Sequence, residues 1–142
     1  MIVAKEFTFD AAHSIPHHLG KCRFPHGHTY KVRVYVEGRV APVDGRSDGG
    51  MVVDFGVLSE IWHERVEPRL DHRNLNLSLP VKATTAELIA AWILREFRRG
   101  FQSRDLPADT VLKVRVYETP TAYAEASSAD LDDLLGAGVL GE

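Results

Sequence analysis

Three histidines, His13, His26 and His28, have the spacing of metal ligands. His26 and His28 are two residues apart in a predicted strand, so both imidazoles point to the same face. His13 continues an apolar alternation that begins at Phe7 in an earlier predicted strand. If these strands pair across the loop 14–25, the three rings meet on the buried face. Three neutral imidazoles with an open fourth position are the ligand set of a catalytic zinc.

Other interpretations of these histidines remain open. A single histidine on an apolar face is usually a hydrogen-bonded core residue, although three of matching parity favour a metal site. Imidazole also binds copper, iron and nickel, so zinc is favoured by ligand chemistry alone. His17, His18 and His63 lack this geometry and are expected in loops or at the surface.

Two further side chains suit chemistry near such a centre. Cys22 lies four residues before His26, and a thiolate is a good base or nucleophile, although a lone cysteine is more often a small buried apolar residue. Glu118 has the parity of the apolar residues Leu112, Val114 and Val116. A carboxylate on that face needs a cationic partner or a flat ligand with an amidine edge. The alternative is that the strand ends before Glu118.

The adjacent pair Asp71 and His72 follows the first predicted helix. An aspartate can orient a histidine and raise its basicity, as in catalytic dyads. A solvated loop pair is the alternative interpretation of these two residues.

The elements that carry these residues form an α+β pattern with helices on one face of a sheet. Helices are predicted from Phe55, capped by Asp54, to about Glu67, and from a capping box at Thr84–Glu87 to about Gly100. Alternation predicts strands at residues 2–12, 26–40, 51–53, 110–118 and 121–126.

Composition limits the class of protein. The 142 residues suit one domain, and a net charge of −3 disfavours nucleic acid and anionic membranes as partners. The only cysteine is Cys22, and the N-terminus has no signal core, so a cytoplasmic location is expected.

Several blocks together resemble the 6-pyruvoyltetrahydropterin synthase / 6-carboxytetrahydropterin synthase family. They occur in the family's order over roughly residues 5–125, and their combination is far more specific than any one motif. The blocks are Phe9-Asp-Ala-Ala-His13, Cys22-Arg-Phe-Pro-His26-Gly-His28-Thr-Tyr, Gly50-Met-Val-Val-Asp-Phe55, Leu70-Asp-His-Arg-Asn-Leu-Asn76 and Glu118-Thr-Pro-Thr.

The resemblance implies the tunnelling fold: an antiparallel four-stranded sheet with two helices on one face, assembled as a hexamer from two trimers. It implies a zinc ion (Zn²⁺) on His13, His26 and His28. It also implies a catalytic set of Cys22, Asp71 and His72, the Asp–His pair coming from a neighbouring subunit. Glu118, helped by Thr85, would anchor the guanidine-like edge of a pterin triphosphate substrate.

Three branches of the family differ in chemistry. One converts 7,8-dihydroneopterin triphosphate to 6-carboxy-5,6,7,8-tetrahydropterin, acetaldehyde and triphosphate, on the route to queuosine. A second eliminates triphosphate to give 6-pyruvoyltetrahydropterin, and a third has glutamate in place of the cysteine. Cys22, three intervening residues before His26, resembles the carboxy-forming type, which is the expected activity.

Two departures from the family pattern stand out. Ala83-Thr84 replaces the usual Asn-Pro before the second helix, and the tail 127–142 extends beyond the expected domain, residues 1–126. A rival hypothesis is a non-catalytic binding module buttressed by zinc, which would need a fourth protein ligand, most plausibly Cys22.

Overall fold

A five-stranded sheet forms the centre of the computed structural model, which describes residues 1–141. The strands lie in the order β3-β1-β2-β4-β5, and every pairing is antiparallel except that of β1 with β3. The strands are β1 Ile2–His13, β2 His26–Glu37, β3 Arg73–Asn74, β4 Val111–Thr119 and β5 Ala122–Ser127. The expected four-stranded sheet therefore gains a fifth strand, β3. Two residues are too few to show alternation, so β3 could not be predicted from the sequence pattern.

Helices cover one face of this sheet. The helices are α1 Phe55–Ile61, α2 Glu67–Leu70, α3 Leu75–Ser78, α4 Ala86–Gln102 and α5 Ser128–Gly136, and Lys21–Arg23 and Ala108–Thr110 are 3₁₀ turns. Within residues 1–141, no helix combines the length and apolar character needed to cross a bilayer. The α+β prediction is confirmed: the two expected helices are α1–α2 and α4.

The core lies between the sheet and these helices. Alternate residues of β1 and β2 point inward, and Phe9, Tyr30 and Val32 are almost fully buried. Phe9 stacks on Tyr30 with ring centroids 4.6 Å apart. Each large side chain buried here contributes about 1.5–3 kcal/mol. The same alternation carries His13 and His28 to the inner face at the end of the strands.

The first helix runs further than its pattern indicated. A π-helical segment, Trp62–Val66, joins α1 to α2, and the helix ends at Leu70 rather than at Glu67. Pro68 has no backbone N–H, so the regular helical bond to Glu64 is unavailable, and the widened turn precedes it. This extension brings Asp71 to the C-cap, where its N–H donates to the Glu67 carbonyl.

The segment 51–53 is not a strand, contrary to the prediction. Its backbone bonds to Ala41 instead: the Ala41 N–H donates to the Met51 carbonyl at 2.8 Å, and no ladder with the sheet forms. A short apolar run cannot by itself distinguish a strand from a buried loop. Asp54 caps α1 as predicted, accepting from the Gly56 N–H at 2.8 Å.

The tail packs against the domain over its described part. Residues 128–136 form α5, and Leu131 and Leu140 are buried. Leu140 also forms a bridge with Val81. The last residue of the tail, Glu142, lies outside the described residues.

Candidate metal centre and substrate pocket

The pairing of β1 with β2 brings the three predicted histidines together. His13 lies directly opposite His26, and His28 lies opposite Ala11, one alternation further along. The ring centroids of the three are 4.5, 4.8 and 5.1 Å apart, and the rings are steeply inclined to one another. One nitrogen from each ring lies within 4.8 Å of the other two. The three imidazoles therefore converge on a common point.

Hydrogen bonds fix which ring nitrogens are free. The Nδ1 of His13 lies 2.8 Å from the Thr84 carbonyl, and the Nδ1 of His26 lies 2.8 Å from the Phe24 carbonyl. A carbonyl only accepts, so both Nδ1 atoms carry hydrogen and, in neutral rings, both Nε2 atoms are bare. Those two Nε2 atoms are 3.0 Å apart. Two lone pairs at that distance repel each other unless a cation lies between them.

The third nitrogen of the cluster belongs to His28. The Nε2 of His28 is buried and has no hydrogen-bond partner within residues 1–141. A buried polar atom without a partner costs free energy, and a metal ion would satisfy it. Three converging nitrogens, two of them bare and the third without a partner, fit zinc, which binds imidazole at about 2.0–2.1 Å.

Burial favours the neutral form of His13 and His28. Desolvation lowers the pKa of His13, against the hydrogen bond to Thr84 and the charge of Glu118, which act to raise it. Desolvation likewise lowers the pKa of His28. Neutral imidazole is the form that binds metal, so no proton needs to leave these two rings at neutral pH.

Thr84 has a different role from the predicted one. The N-cap of α4 is Thr85, whose hydroxyl accepts from the Leu88 N–H, so the capping box at Thr84 is wrong. Thr84 is buried. In addition to its carbonyl, its hydroxyl also contacts His13, 3.2 Å from the Nδ1. The Thr84 hydroxyl also donates to the Ser14 carbonyl. Thr84 therefore orients His13, as partners of metal-binding histidines commonly do.

Asn76 completes this support. Its side-chain oxygen accepts from the Ser14 N–H at 2.8 Å, and its amide donates to the Ser14 carbonyl at 2.9 Å. The residue after His13 is thus held on both sides. Thr84 is one of the two residues that depart from the family pattern before the second helix, but its contact with His13 could not be predicted from the sequence.

No fourth protein ligand joins the three histidines in the part of the chain that the structure describes. Cys22, the expected fourth ligand of a closed structural site, is not in the cluster. The nearest carboxylate is Glu118, with its Oε1 3.7 Å from the Nε2 of His28. Three protein ligands with an open position are the pattern of catalytic rather than structural zinc sites.

A pocket of about 330 Å³ contains three of the predicted site residues, Cys22, Thr85 and Glu118. Since Glu118 also lies beside His28, the pocket adjoins the histidine cluster. The pocket is lined by Ile15, His18, Cys22, Thr85, Ala86, Glu87, Glu118, Ala122, Tyr123 and Ala124. His18 and Tyr123 were not predicted here. The position of His18, four residues before Cys22 in one loop, was the available signal.

The loop that carries Cys22 is held by its own hydrogen bonds. The Ile15 N–H donates to the Cys22 carbonyl at 2.7 Å, which closes the loop at its base. The Nδ1 of His18 accepts from the Gly20 N–H at 2.8 Å. These bonds hold the partly buried thiol of Cys22 in a fixed loop beside the pocket.

Asp71 and His72 form a pair, as predicted, with the Nδ1 of His72 2.9 Å from Asp71 Oδ2. The hydrogen bond that its ring donates to Asp71 raises the pKa of His72, whose side chain is 79% exposed. The pKa of Asp71 is lowered mainly by the hydrogen bond from the Asp10 backbone N–H and, to a smaller extent, by the hydrogen bond from His72. The pair is therefore a carboxylate bound to an imidazole that readily holds a proton.

The Asp71–His72 pair lies away from the Cys22 pocket of the same chain. The side chains of Asp71 and His72 lie close to the carboxylate of Asp10. By strand alternation, that carboxylate faces away from the side of His13. His72 lines a separate depression of about 590 Å³ formed by Asp10, Ala11, Ala12, Gly27, His28, Thr29, His72, Arg73 and Asn74. The structure thus unites Cys22, Thr85, Glu118 and the three histidines but not this pair.

Comparisons with known proteins place the chain in a family. The family described as 6-pyruvoyl tetrahydropterin synthase matches residues 2–129. A 6-carboxy-5,6,7,8-tetrahydropterin synthase from Synechocystis is 42% identical over 94% of this chain and 98% of its own. The human 6-pyruvoyl tetrahydrobiopterin synthase is 36% identical over 70% of this chain and 66% of its own.

A solved structure shares the fold. The Caenorhabditis elegans 6-pyruvoyl tetrahydropterin synthase superposes with a TM-score of 0.73, covering 90% of this chain and 95% of its own at 23% identity. The predicted tunnelling fold is confirmed by this similarity. The family match and the close full-length relative show that the chain belongs to the 6-pyruvoyl tetrahydropterin synthase family.

Proposed function

We propose that this protein is a zinc-dependent lyase that converts 7,8-dihydroneopterin triphosphate to 6-carboxy-5,6,7,8-tetrahydropterin, acetaldehyde and triphosphate. The observation that carries the proposal is the convergence of three imidazole nitrogens, without a fourth protein ligand among residues 1–141, beside a pocket that holds a thiol and a carboxylate. This arrangement leaves room for a substrate oxygen.

His13, His26 and His28 hold the zinc. Bound there, the ion supplies a Lewis acid next to the substrate's side-chain hydroxyls. The chain's own contribution is to hold three neutral rings in one geometry. Thr84 and the Phe24 carbonyl achieve this by fixing the tautomers of His13 and His26.

Glu118 and Thr85 bind the pterin ring. A carboxylate can accept two parallel hydrogen bonds from a guanidine-like edge, and this pairing fixes the orientation of a flat ring. Glu118 lies at the end of β4, within 3.7 Å of His28, so a ring bound there is close to the histidine cluster. Thr85, at the start of α4, lines the same pocket and offers a hydroxyl or backbone contact.

Cys22 is the base that takes a proton from the substrate side chain. Its thiol lines the pocket that holds Glu118, so it would lie near the side chain of a pterin bound to Glu118. Proton transfer by a positioned side chain contributes about 10²–10⁴-fold to a rate. A rearrangement without net redox change needs a second proton carrier of different pKa.

That second carrier is His72, oriented by Asp71, from a neighbouring copy of the chain. Within one chain the pair faces away from the Cys22 pocket, so the two parts of the catalytic set meet only across a subunit contact. The proposed assembly is a hexamer of two trimers, with sites between subunits.

The choice of product rests on two observations. The Synechocystis relative that matches nearly the whole of both chains is a 6-carboxytetrahydropterin synthase. Cys22 also has the short spacing to His26 that resembles the carboxy-forming type. This product would place the protein in the cytoplasm, on the route to 7-deazaguanines such as queuosine. The alternative product is 6-pyruvoyltetrahydropterin, which the human relative's name favours.

Incubation with 7,8-dihydroneopterin triphosphate tests the proposal. Mass analysis should find 6-carboxytetrahydropterin together with acetaldehyde in equal amount. A pyruvoylpterin without acetaldehyde would support the alternative activity. Unchanged substrate in the presence of saturating zinc, with the metal shown to be bound, would favour the non-catalytic binding module.

A further inference from the structure

Asp10, which the family resemblance does not include in the site, contacts both members of the Asp71–His72 pair. We propose that Asp10 is a positioning residue for this pair: its backbone fixes the conformation of His72, and its carboxylate holds the charged imidazole in place. The inference rests on the proposed role of His72 as a proton carrier. The contacts that support it are made by Asp10 in β1 and do not involve the metal centre.

The backbone of Asp10 holds the two residues from both sides. The His72 N–H donates to the Asp10 carbonyl at 2.7 Å, and the Asp10 N–H donates to Asp71 Oδ1 at 3.1 Å. His72 has a φ of 56°, in the left-handed region that side chains other than glycine rarely adopt. The bond to Asp10 therefore stabilises a backbone conformation that is unfavourable for histidine, and in this conformation the ring Nδ1 lies 2.9 Å from Asp71 Oδ2.

The carboxylate of Asp10 is itself held in position. The hydroxyl of Thr29, directly opposite on β2, donates to Asp10 Oδ1. Ligand atoms of Asp10, Asp71 and His72 all lie within 4.8 Å of one another. One imidazole thus faces two carboxylates, and this favours its protonated form.

Among the contacts of the described residues, no other basic side chain pairs with Asp10 or Asp71 and so weakens their effect on His72. Lys31, the next basic residue on the same face of β2, is directed to Glu6 and to the ring of Tyr117. Arg73, next to His72, donates instead to the Pro68 carbonyl. The charge facing His72 is therefore supplied by Asp71 from its own segment and Asp10 from β1, and both raise its pKa.

The test is an NMR titration of the His72 ring in the assembled protein, with the signal assigned by comparison with His72→Gln. Asp10→Asn keeps the backbone and the shape but removes the charge, so the His72 midpoint should move to lower pH. Asp71→Asn should move it further in the same direction. Glu6→Gln removes a carboxylate from the same face of β1 that is paired with Arg33, and it should leave the midpoint unchanged.

Kinetics provide the second measurement. Asp10→Asn should lower kcat about tenfold at a pH above the lowered His72 midpoint and much less at a pH below it. This loss is smaller than the full contribution of a proton-transferring side chain. Asp10→Glu should restore most of the loss. An unchanged His72 midpoint in Asp10→Asn would overturn the inference, whatever the activity. A shifted midpoint with full activity in His72→Gln would keep the electrostatic role of Asp10 but remove its role in the reaction, and would refute the proposed function of His72 instead.

Discussion

The inner and outer faces of the sheet carry histidines with opposite properties. On the inner face, His13 is buried and His28 is half-buried, and desolvation lowers the pKa of both. On the outer side, His72 is exposed, and the hydrogen bond that its ring donates to Asp71 raises its pKa. One residue type is therefore prepared for two tasks: a neutral ring suits a metal ligand, and a charged ring suits a proton donor.

The two sets also differ in what positions them. The inner histidines are fixed by the long pairing of β1 with β2, which sets their register residue by residue. The outer pair is fixed by the end of a helix widened at Trp62–Val66 and by bonds to Asp10. Regular pairing places the inner histidines on one rigid layer, whereas an irregular helix end presents the Asp71–His72 pair outward, away from the Cys22 pocket of the same chain.

The largest expected effect is on the inner face. His28→Ala removes one of three nitrogens from a site without a fourth ligand among residues 1–141, so bound zinc and turnover should both fall below detection. Metal analysis after gel filtration, together with product formation, measures this. His63→Ala is the matched control because His63 is exposed, away from the cluster, and pairs with Glu67. Full zinc occupancy in His28→Ala would refute the ligand assignment.

Mixing two inactive variants tests whether the faces cooperate across subunits. Cys22→Ala should retain zinc and lose most turnover, and His72→Gln should also retain zinc and lose turnover. In hexamers reassembled from equal amounts, about a quarter of the sites combine an intact Cys22 with an intact His72 from another copy. Recovered activity near that fraction is the expected result.

The control is each variant carried alone through the same dissociation and reassembly, which should regain nothing. Absence of recovery in hexamers that contain both variants, as verified by tagged subunits, would mean that both parts act within one chain. That outcome would contradict the separation seen between the Cys22 pocket and the Asp71–His72 pair.

The sequence predicted the inner face better than the outer one, for a physical reason. Period-two alternation carries direct information about which side chains share a face, so His13, His26 and His28 could be grouped before any coordinates. The fifth strand, β3, and the contacts of Asp10 depend on backbone bonds between distant residues, which alternation does not encode. The π-helical segment is a local widening of the helix that the apolar pattern does not show either. The role of Thr84 was missed for the same reason: a buried threonine near a helix start has the pattern of a cap.

A smaller effect is expected where Thr84 supports His13. Thr84→Val removes the hydroxyl but keeps the carbonyl that accepts from the His13 Nδ1. The zinc Kd should rise about tenfold, at the low end of the 10–100-fold typical for partners of metal-binding histidines. Competition with a chelator measures it, and Thr84→Ser should restore wild-type affinity.

The neighbouring residue provides the control for this prediction. Thr85→Val removes the N-cap hydroxyl of α4 and should cost about 1 kcal/mol of unfolding free energy without changing zinc affinity. If both variants weaken zinc equally, the effect comes from the start of α4 as a whole. In that case the specific role of the Thr84 hydroxyl is contradicted.

The smallest effect concerns stability and pH in the metal-free protein. Because burial lowers the pKa of His13 and His28, the unfolded chain binds more protons than the folded one below the ordinary histidine pKa of about 6.5. The unfolding free energy should therefore be unaffected by these rings above that pH and should fall as the pH drops below it, until the rings titrate in the folded protein. Each ring contributes at most about 1.4 kcal/mol per pH unit in that interval.

Urea unfolding of the chelator-treated protein from pH 7.5 to 5.0 measures this slope. His28→Gln should make it shallower, because one neutral ring no longer needs to be protected from protonation. His72→Gln should not, because the pKa of His72 is raised: its proton favours the folded state at low pH, and that contribution disappears as the pH rises through the folded pKa. A slope that is equal in all three proteins would show that the inner and outer histidines do not differ in the way their surroundings indicate.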